Sequence, residues 1–185
     1  MPRQTPSQTV GPFFSHALMP DGTEGRTSLG NRMRGEGADG EPIRIQGRVT
    51  DGNGDPVPDA MIEIWQADSS GQYPGGTGAF RGFGRAGTDD SGRYWFETVM
   101  PGSSSPGVAP HVSACVFARG MLNHAFTRIY FSDKHEENAR DGLLARIDPS
   151  RVSTLIARRL GGQTEAAYEF DICLQGDRET VFLDA

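Results

Sequence analysis

The stretch PHVSACVFARG, residues 110–120, decides the architecture. Val112, Ala114 and Val116 recur at every second position, the period of a strand with one face in a core and the other outside it. His111, Ser113, Cys115 and Phe117 then share the opposite face. Two histidines one residue apart on a strand aim their imidazoles at one point. Here Ser113 holds the second place, so the stretch supplies half of a metal site. It ends in Arg119-Gly120. Glycine lets the backbone turn tightly there, and a planar guanidinium at a strand terminus is a natural partner for a carboxylate.

Working outward, further strands follow at short intervals. Ile43, Ile45 and Val49 alternate with polar residues as far as the turn DGNGDP, residues 51–56. MIEIWQ (61–66) and RYWFETV (93–99) each follow a turn, and residues 71–91 between them read mostly as loop. Residues 124–131 form a strand that Gly120 joins to the first as a hairpin. Tyr168, Phe170, Ile172 and Leu174 alternate strictly, and residues 180–183 make a last strand after Gly176-Asp177. One helix is predicted over residues 148–161. Asp148 suits its N-cap and Pro149 its first position, Val152, Leu155, Ile156 and Leu160 share a face, and Gly161 stops it. The sum is a mainly β chain, a β-sandwich with one late helix. Residues 42–185 form the core domain. Residues 1–41 form an irregular N-terminal arm whose Phe13 and Phe14 are too apolar for water and are expected to pack on another surface.

At 185 residues the chain suits one domain with a substantial core. Its net charge of −6 makes nucleic acid and anionic membranes poor partners. No basic segment followed by an apolar run opens the sequence, and no run reaches membrane-spanning length, so a cytoplasmic protein is expected. The two cysteines, Cys115 and Cys173, are expected as buried free thiols. Walker, G-x-S-x-G, C-x-x-C and H-E-x-x-H patterns are absent.

What remains as candidate chemistry is Tyr73 in the loop after MIEIWQ, His111 and Arg119. Phenolate and imidazole suit a ferric ion, but two such groups are too few for a protein site. Arg119, with Gly120 beside it, has the stronger case, as a carboxylate binder.

Five blocks, in order along most of the chain, resemble the intradiol ring-cleavage dioxygenases: TPSQTVGPFF (5–14), GRVTDGNGDPVPDAMIEIWQAD (47–68), GRAGTDDSGRYWFETVMPG (84–102), APHVSACVFARGMLNHAFTRIYF (109–131) and YEFDICLQGDRETVFLD (168–184). The resemblance implies a β-sandwich in which two tyrosines and two histidines hold a non-haem ferric ion. The first tyrosine falls on Tyr73 and the first histidine on His111. The second tyrosine belongs in PGSSSPGVAP (101–110), which has none, and the second histidine falls on Ser113. The resemblance therefore implies an alpha-type subunit, with no metal and no catalytic residue of its own. A homologous beta subunit would carry the Fe(3+) in a hetero-oligomer, and the arm of residues 1–41 would pack on that partner subunit. Thr9, Gly11, Pro12 and Arg119 would complete the substrate pocket for O2-dependent cleavage of protocatechuate to 3-carboxy-cis,cis-muconate. Two other readings remain open: a self-sufficient single-chain enzyme with altered ligands, and a non-enzymatic, transthyretin-like β-sandwich serving binding or assembly.

Overall fold

Among the described residues nine strands account for most of the regular structure. The structure, a computed structural model, describes residues 30–75, 78–162 and 164–184, together with Leu18. Thr9, Gly11, Pro12, Phe13 and Phe14 lie outside the described residues. In chain order the strands are β1 (Pro42–Thr50), β2 (Met61–Gln66), β3 (Phe83–Gly87), β4 (Arg93–Val99), β5 (His111–Phe117), β6 (Ala125–Phe131), β7 (Ile156–Leu160), β8 (Ala166–Glu169) and β9 (Ile172–Cys173). They pair in the order β3-β2-β5-β6-β7-β8-β1-β4, with β9 also on β1. The sheet is mixed: β6–β7, β1–β8 and β1–β9 run parallel and the other pairs antiparallel.

The sheet curls on itself, so that its inward side chains form one core. Ile43, Ile45, Ile62, Ile64, Phe96, Val112, Ala114, Val116, Ile129, Phe131 and Tyr168 are all buried in it. Among the described residues Gln66 is the one fully buried amide, and it is paired on both sides. Its Nε2 donates to the Val99 carbonyl at 2.9 Å and its Oε1 accepts from the Thr98 hydroxyl at 2.7 Å. A buried amide left unpaired would cost about 1–3 kcal/mol; here it ties β2 to β4 across the curl.

The two edge strands, β3 and β4, are joined by a segment that the sequence placed in the arm. Glu97 N–H donates to the Asn31 carbonyl at 2.9 Å and Met33 N–H to the Glu97 carbonyl at 2.8 Å. On the other side Arg85 N–H donates to the Gly30 carbonyl at 3.2 Å. Met33 fills the gap between the edges and is buried against Gly84, where an added Cβ would come within 2.8 Å of its side chain. Residues 30–35 thus belong to the fold and blunt two edges that would otherwise invite foreign strands.

The structure corrects several expectations. The predicted helix over 148–161 does not form. Asp148 does cap a turn, accepting from Ser150 N–H and Oγ at 2.9 and 2.7 Å. The chain then makes only a short 3-10 helix, Val152–Leu155, before extending into β7. The reason is tertiary. A strand here fills the place between β6 and β8, giving backbone partners to both and burying Ala157 completely, and long-range pairing overrides a local 3.6-residue pattern. Helix α1 (His135–Asn138) is a single turn with no buried residue. Residues 71–91, read as loop, contain β3, which pairs with β2. Residues 180–183 form no strand; Leu183 makes one isolated bridge to Phe126. The alternating run 168–174 is split at Phe170 and Asp171 into β8 and β9. Cys115 and Cys173 are free but only half-buried.

Outside the sheet, Ala109, Tyr130, Leu144 and Leu155 form a second small core. It lies under the 3-10 helices and covers one end of the outer face of β5 and β6. The rest of that face carries the candidate chemistry.

Candidate functional site

The alternation read from PHVSACVFARG holds. Val112, Ala114 and Val116 are buried inward, while Ser113, Cys115 and Phe117 are half-buried on the other face. The hairpin between β5 and β6 also forms, and Gly120 occupies its turn with φ +87°. That φ is in the left-handed region, where only glycine sits without strain. Beside it, Arg119 donates through Nε to Asp59 Oδ2 at 2.8 Å, and its side chain is 65% exposed. An exposed ion pair of this kind adds little stability. Its effect is orientation. Asp59 holds the guanidinium by its inner nitrogen and leaves the terminal nitrogens, the two that grip a carboxylate side by side, facing outward.

The outer face of β2, β3, β5 and β6 is arranged in rows fixed by strand register. Phe83, Trp65, Ser113 and Arg128 form one row. His111 and Tyr130 form the next, and Arg85, Glu63, Cys115 and Phe126 the row on the other side. Arg85 pairs with Glu63 and also donates to the Leu18 carbonyl at 3.3 Å. Cys115 faces Glu63, and burial together with that charge pushes its thiol up to about 12, so it stays protonated and unreactive at neutral pH.

His111 is nearly buried, 6% exposed, with its ring tilted over Tyr130 at 5.6 Å. Its Nδ1 lies 2.8 Å from the Ala109 carbonyl. A carbonyl only accepts, so Nδ1 carries the hydrogen and Nε2 keeps its lone pair. Burial holds this imidazole below the ordinary histidine value, and the Arg128 charge acts in the same direction. Tyr130 donates to Asp141 Oδ1 at 3.1 Å, and burial pushes its hydroxyl up to about 12. Asp141 also accepts from the N–H groups of Ala109, Leu143 and Leu144, each at 2.9 Å. Burial raises its carboxyl, but these four donors outweigh that and leave it below the usual carboxylate range. Asp141 therefore locks the loop before β5 to the segment that covers Tyr130.

Tyr73 is held elsewhere. Asp68 folds its loop by accepting from Ser70 N–H and Oγ and from Gln72 N–H. Gly71, at φ +87°, lies so close to the Ser103 carbonyl that a Cβ would come within 2.0 Å. Tyr73 then stacks on Trp65, rings 10° apart and centroids 6.0 Å apart, and remains 45% exposed. No hydrogen bond or ring contact joins Tyr73 to His111. Among the described residues no group of three or more His, Cys, Asp or Glu lies close enough to hold a metal. The donors present, one imidazole with a serine two residues along its strand and one stacked phenol in a loop, do not fit the ferric ligand set that the resemblance calls for.

Sequence reasoning singled out Tyr73, His111, Ser113 and Arg119, but not Arg128, Trp65 and the Tyr130–Asp141 pair, which the structure sets on the same outer face or beside it. Arg128 was within reach. Phe126, Arg128 and Tyr130 alternate with Thr127, Ile129 and Phe131, and counting back from the hairpin sets Arg128 beside Ser113. Asp141 had no such signal, because its partners come from three separate segments.

A protein-family model described as Dioxygenase matches residues 10–176. The chain is 41% identical to the protocatechuate 3,4-dioxygenase alpha chain of Burkholderia cepacia, over 98% of each chain. It is 33% identical to the protocatechuate 3,4-dioxygenase beta chain of the same organism, over 74% of this chain and 66% of that one. Among solved structures, the dioxygenase domain of a carbohydrate-binding fusion protein from Streptomyces sp. SirexAA-E superposes with a TM-score of 0.64 at 22% identity, covering 93% of this chain and 99% of that one. At that identity the likeness speaks for the fold alone.

Proposed function

The chain belongs to the intradiol ring-cleavage dioxygenase family, and from that premise we propose that it is the alpha-type subunit of a protocatechuate-cleaving enzyme. Its partner is a homologous beta subunit that holds Fe(3+), and the pair forms the unit of a hetero-oligomer. When bound there, the ferric ion supplies Lewis-acid polarisation of the catechol and a template for its orientation. This chain contributes binding and positioning. Arg119 takes the ring carboxylate through its terminal nitrogens, while Thr9, Gly11 and Pro12 of the arm shape the adjoining wall of the pocket.

The observation that carries this reading is the state of Arg119, an exposed guanidinium tethered through Nε to Asp59 at a hairpin tip. The tether fixes where the terminal nitrogens of the guanidinium can reach, which suits it to a carboxylate-binding task. The unsuitable donor set around His111 argues against a self-sufficient iron enzyme.

Co-expression with an intradiol beta chain tests the proposal. A stable heteromer with iron and protocatechuate-dependent O2 uptake is expected, against neither from this chain alone. Iron and turnover in the lone chain would establish the single-chain enzyme instead, and failure to associate with any such beta chain would favour the transthyretin-like binding or assembly module. In the heteromer, Arg119→Ala should lower kcat/KM for protocatechuate by about 5- to 150-fold, the loss of a charged hydrogen bond of about 1–3 kcal/mol. Catechol, which lacks the carboxylate, should be nearly unaffected. Equal losses for both would make Arg119 structural.

A further inference from the structure

We propose that Asn53, at the tip of the turn between β1 and β2, is a site of spontaneous deamidation in the folded protein, with water as the co-reactant. The sequence marks the position first. Of the four asparagines, at 31, 53, 123 and 138, only Asn53 precedes a glycine. Glycine has no Cβ to shield its amide nitrogen, and that nitrogen is the atom that attacks the side-chain amide before it.

The fold leaves this attack open. Residues 51–55 form a hairpin loop in which a β-turn is followed by a left-handed glycine. Gly54 N–H donates to the Asp51 carbonyl at 3.1 Å, and Gly54 has φ +87°. Asp51 N–H donates to the Asp55 carbonyl at 2.9 Å. Asp51 Oδ1 accepts from the N–H groups of Asn53 and Asp55, each at 2.9 Å. Of these bonds, the one that holds the attacking nitrogen is the longest. Asn53 and Gly54 are both exposed, so water replaces that bond when it opens. Among the described residues, the space beside the Gly54 Cα holds a single neighbour, an Arg178 guanidinium nitrogen 3.8 Å from where a Cβ would stand. The buried asparagines differ on both counts. Asn31 is 6% exposed and precedes Arg32. Asn138 precedes Ala139 and donates through Nδ2 to the Phe131 carbonyl at 2.8 Å.

The chemistry balances with water alone. Gly54 N gives its proton to hydroxide and attacks Asn53 Cγ. The Cγ–Nδ2 bond breaks, ammonia leaves with a proton from water, and a cyclic succinimide remains. Water then opens the ring at either carbonyl. Cleavage at Cγ leaves aspartate at position 53, and cleavage at the main-chain carbonyl leaves isoaspartate. Nothing is oxidised or reduced. Either product adds a negative charge to a loop that already carries Asp51 and Asp55, on the side that Arg178 reaches. The isoaspartate also routes the main chain through the side chain, which lengthens the loop between the paired Asp51 and Asp55.

The test holds the full folded chain at mildly alkaline pH and follows its peptides by mass spectrometry, with isoaspartate read by enzymatic methylation. The peptide containing residue 53 should gain acid forms about tenfold or more faster than those containing residues 31, 123 and 138. Asn53→Gln should react about tenfold or more slowly, because the longer side chain closes a larger ring. The same chain in guanidinium chloride gives the rate of the unrestrained sequence. The folded turn should react within about tenfold of it, and a slower folded rate means that the reaction waits for unfolding and overturns the proposal. Equal conversion of all four asparagines overturns it too, as does an Asn53→Gln variant that converts like its parent. Neither iron nor a beta chain enters these readouts, so the subunit reading and this one fail separately.

Discussion

At the scale of single residues, the informative positions are those where a polar group is fixed on one side and free on the other. Among the described residues, Arg119 is fixed through Nε by Asp59 with no partner at its tip, and His111 is fixed through Nδ1 with no partner at Nε2. Asp141 is the opposite case, with both carboxylate oxygens engaged. Three backbone N–H groups and the Tyr130 hydroxyl donate to it, and they hold its carboxyl below the usual range against the effect of burial. Asp141→Asn should therefore cost about 2–3 kcal/mol at neutral pH, since the replacement offers one acceptor oxygen where two charged ones served four donors. The sign of the pH dependence follows from the depressed carboxyl. Its contribution is complete above the unfolded value of about 3.9 and is lost as pH falls through the folded one. The gap in urea-unfolding stability between wild type and variant should close in acid; a constant gap would mean the charge is immaterial. Arg119 and His111 were legible from the sequence because each sits at a marked place on one strand. Asp141 was not, because its value lies in partners drawn from residues 109, 130 and 143–144.

At the scale of elements, β5 and β7 mark the two limits of pattern reading. In β5 local alternation and tertiary environment agree, so period-2 reading placed each side chain on the correct face. In the segment leading to β7 they conflict. A cap at Asp148 and apolar residues at helical spacing are both present, yet the sheet needs a strand between β6 and β8, and the helix yields. Ala157 separates the two structures. On the predicted helix it flanks the apolar stripe, where a larger side chain is harmless; in β7 it is fully buried. Ala157→Leu should destabilise by about 1–3 kcal/mol through overpacking. Arg158→Ala, which removes an exposed pair with Glu169, should cost under about 1 kcal/mol. Urea midpoints measure both, and a neutral Ala157→Leu would contradict the strand. β3 escaped notice for a related reason. FGRAG holds two glycines and one large apolar residue, so it has no alternation to read until β2 offers it a ladder.

At the scale of the whole molecule, closure comes from residues 30–35, which carry hydrogen bonds from β4 on one side and β3 on the other. Met33 is the side chain that makes this seam part of the core. Met33→Ala should cost about 2–5 kcal/mol. It should also speed hydrogen exchange at the Arg85 and Glu97 amides, which donate across the seam, more than at Val112 or Ile129 in mid-sheet. Uniform acceleration at all four would mean that the seam opens only with global unfolding. The sequence by itself determined the β class, the facing of β5, the hairpin that presents Arg119, and the gaps in the ferric ligand set. Each is written in residues that neighbour one another or recur with a strand's period. Only the tertiary structure decided that 148–161 is not a helix, that residues 30–35 close the sheet, and that no carboxylate among the described residues pairs with Arg128. These depend on which strands meet, and strand partners are chosen by burial and backbone pairing across the whole chain rather than by any local stretch of it.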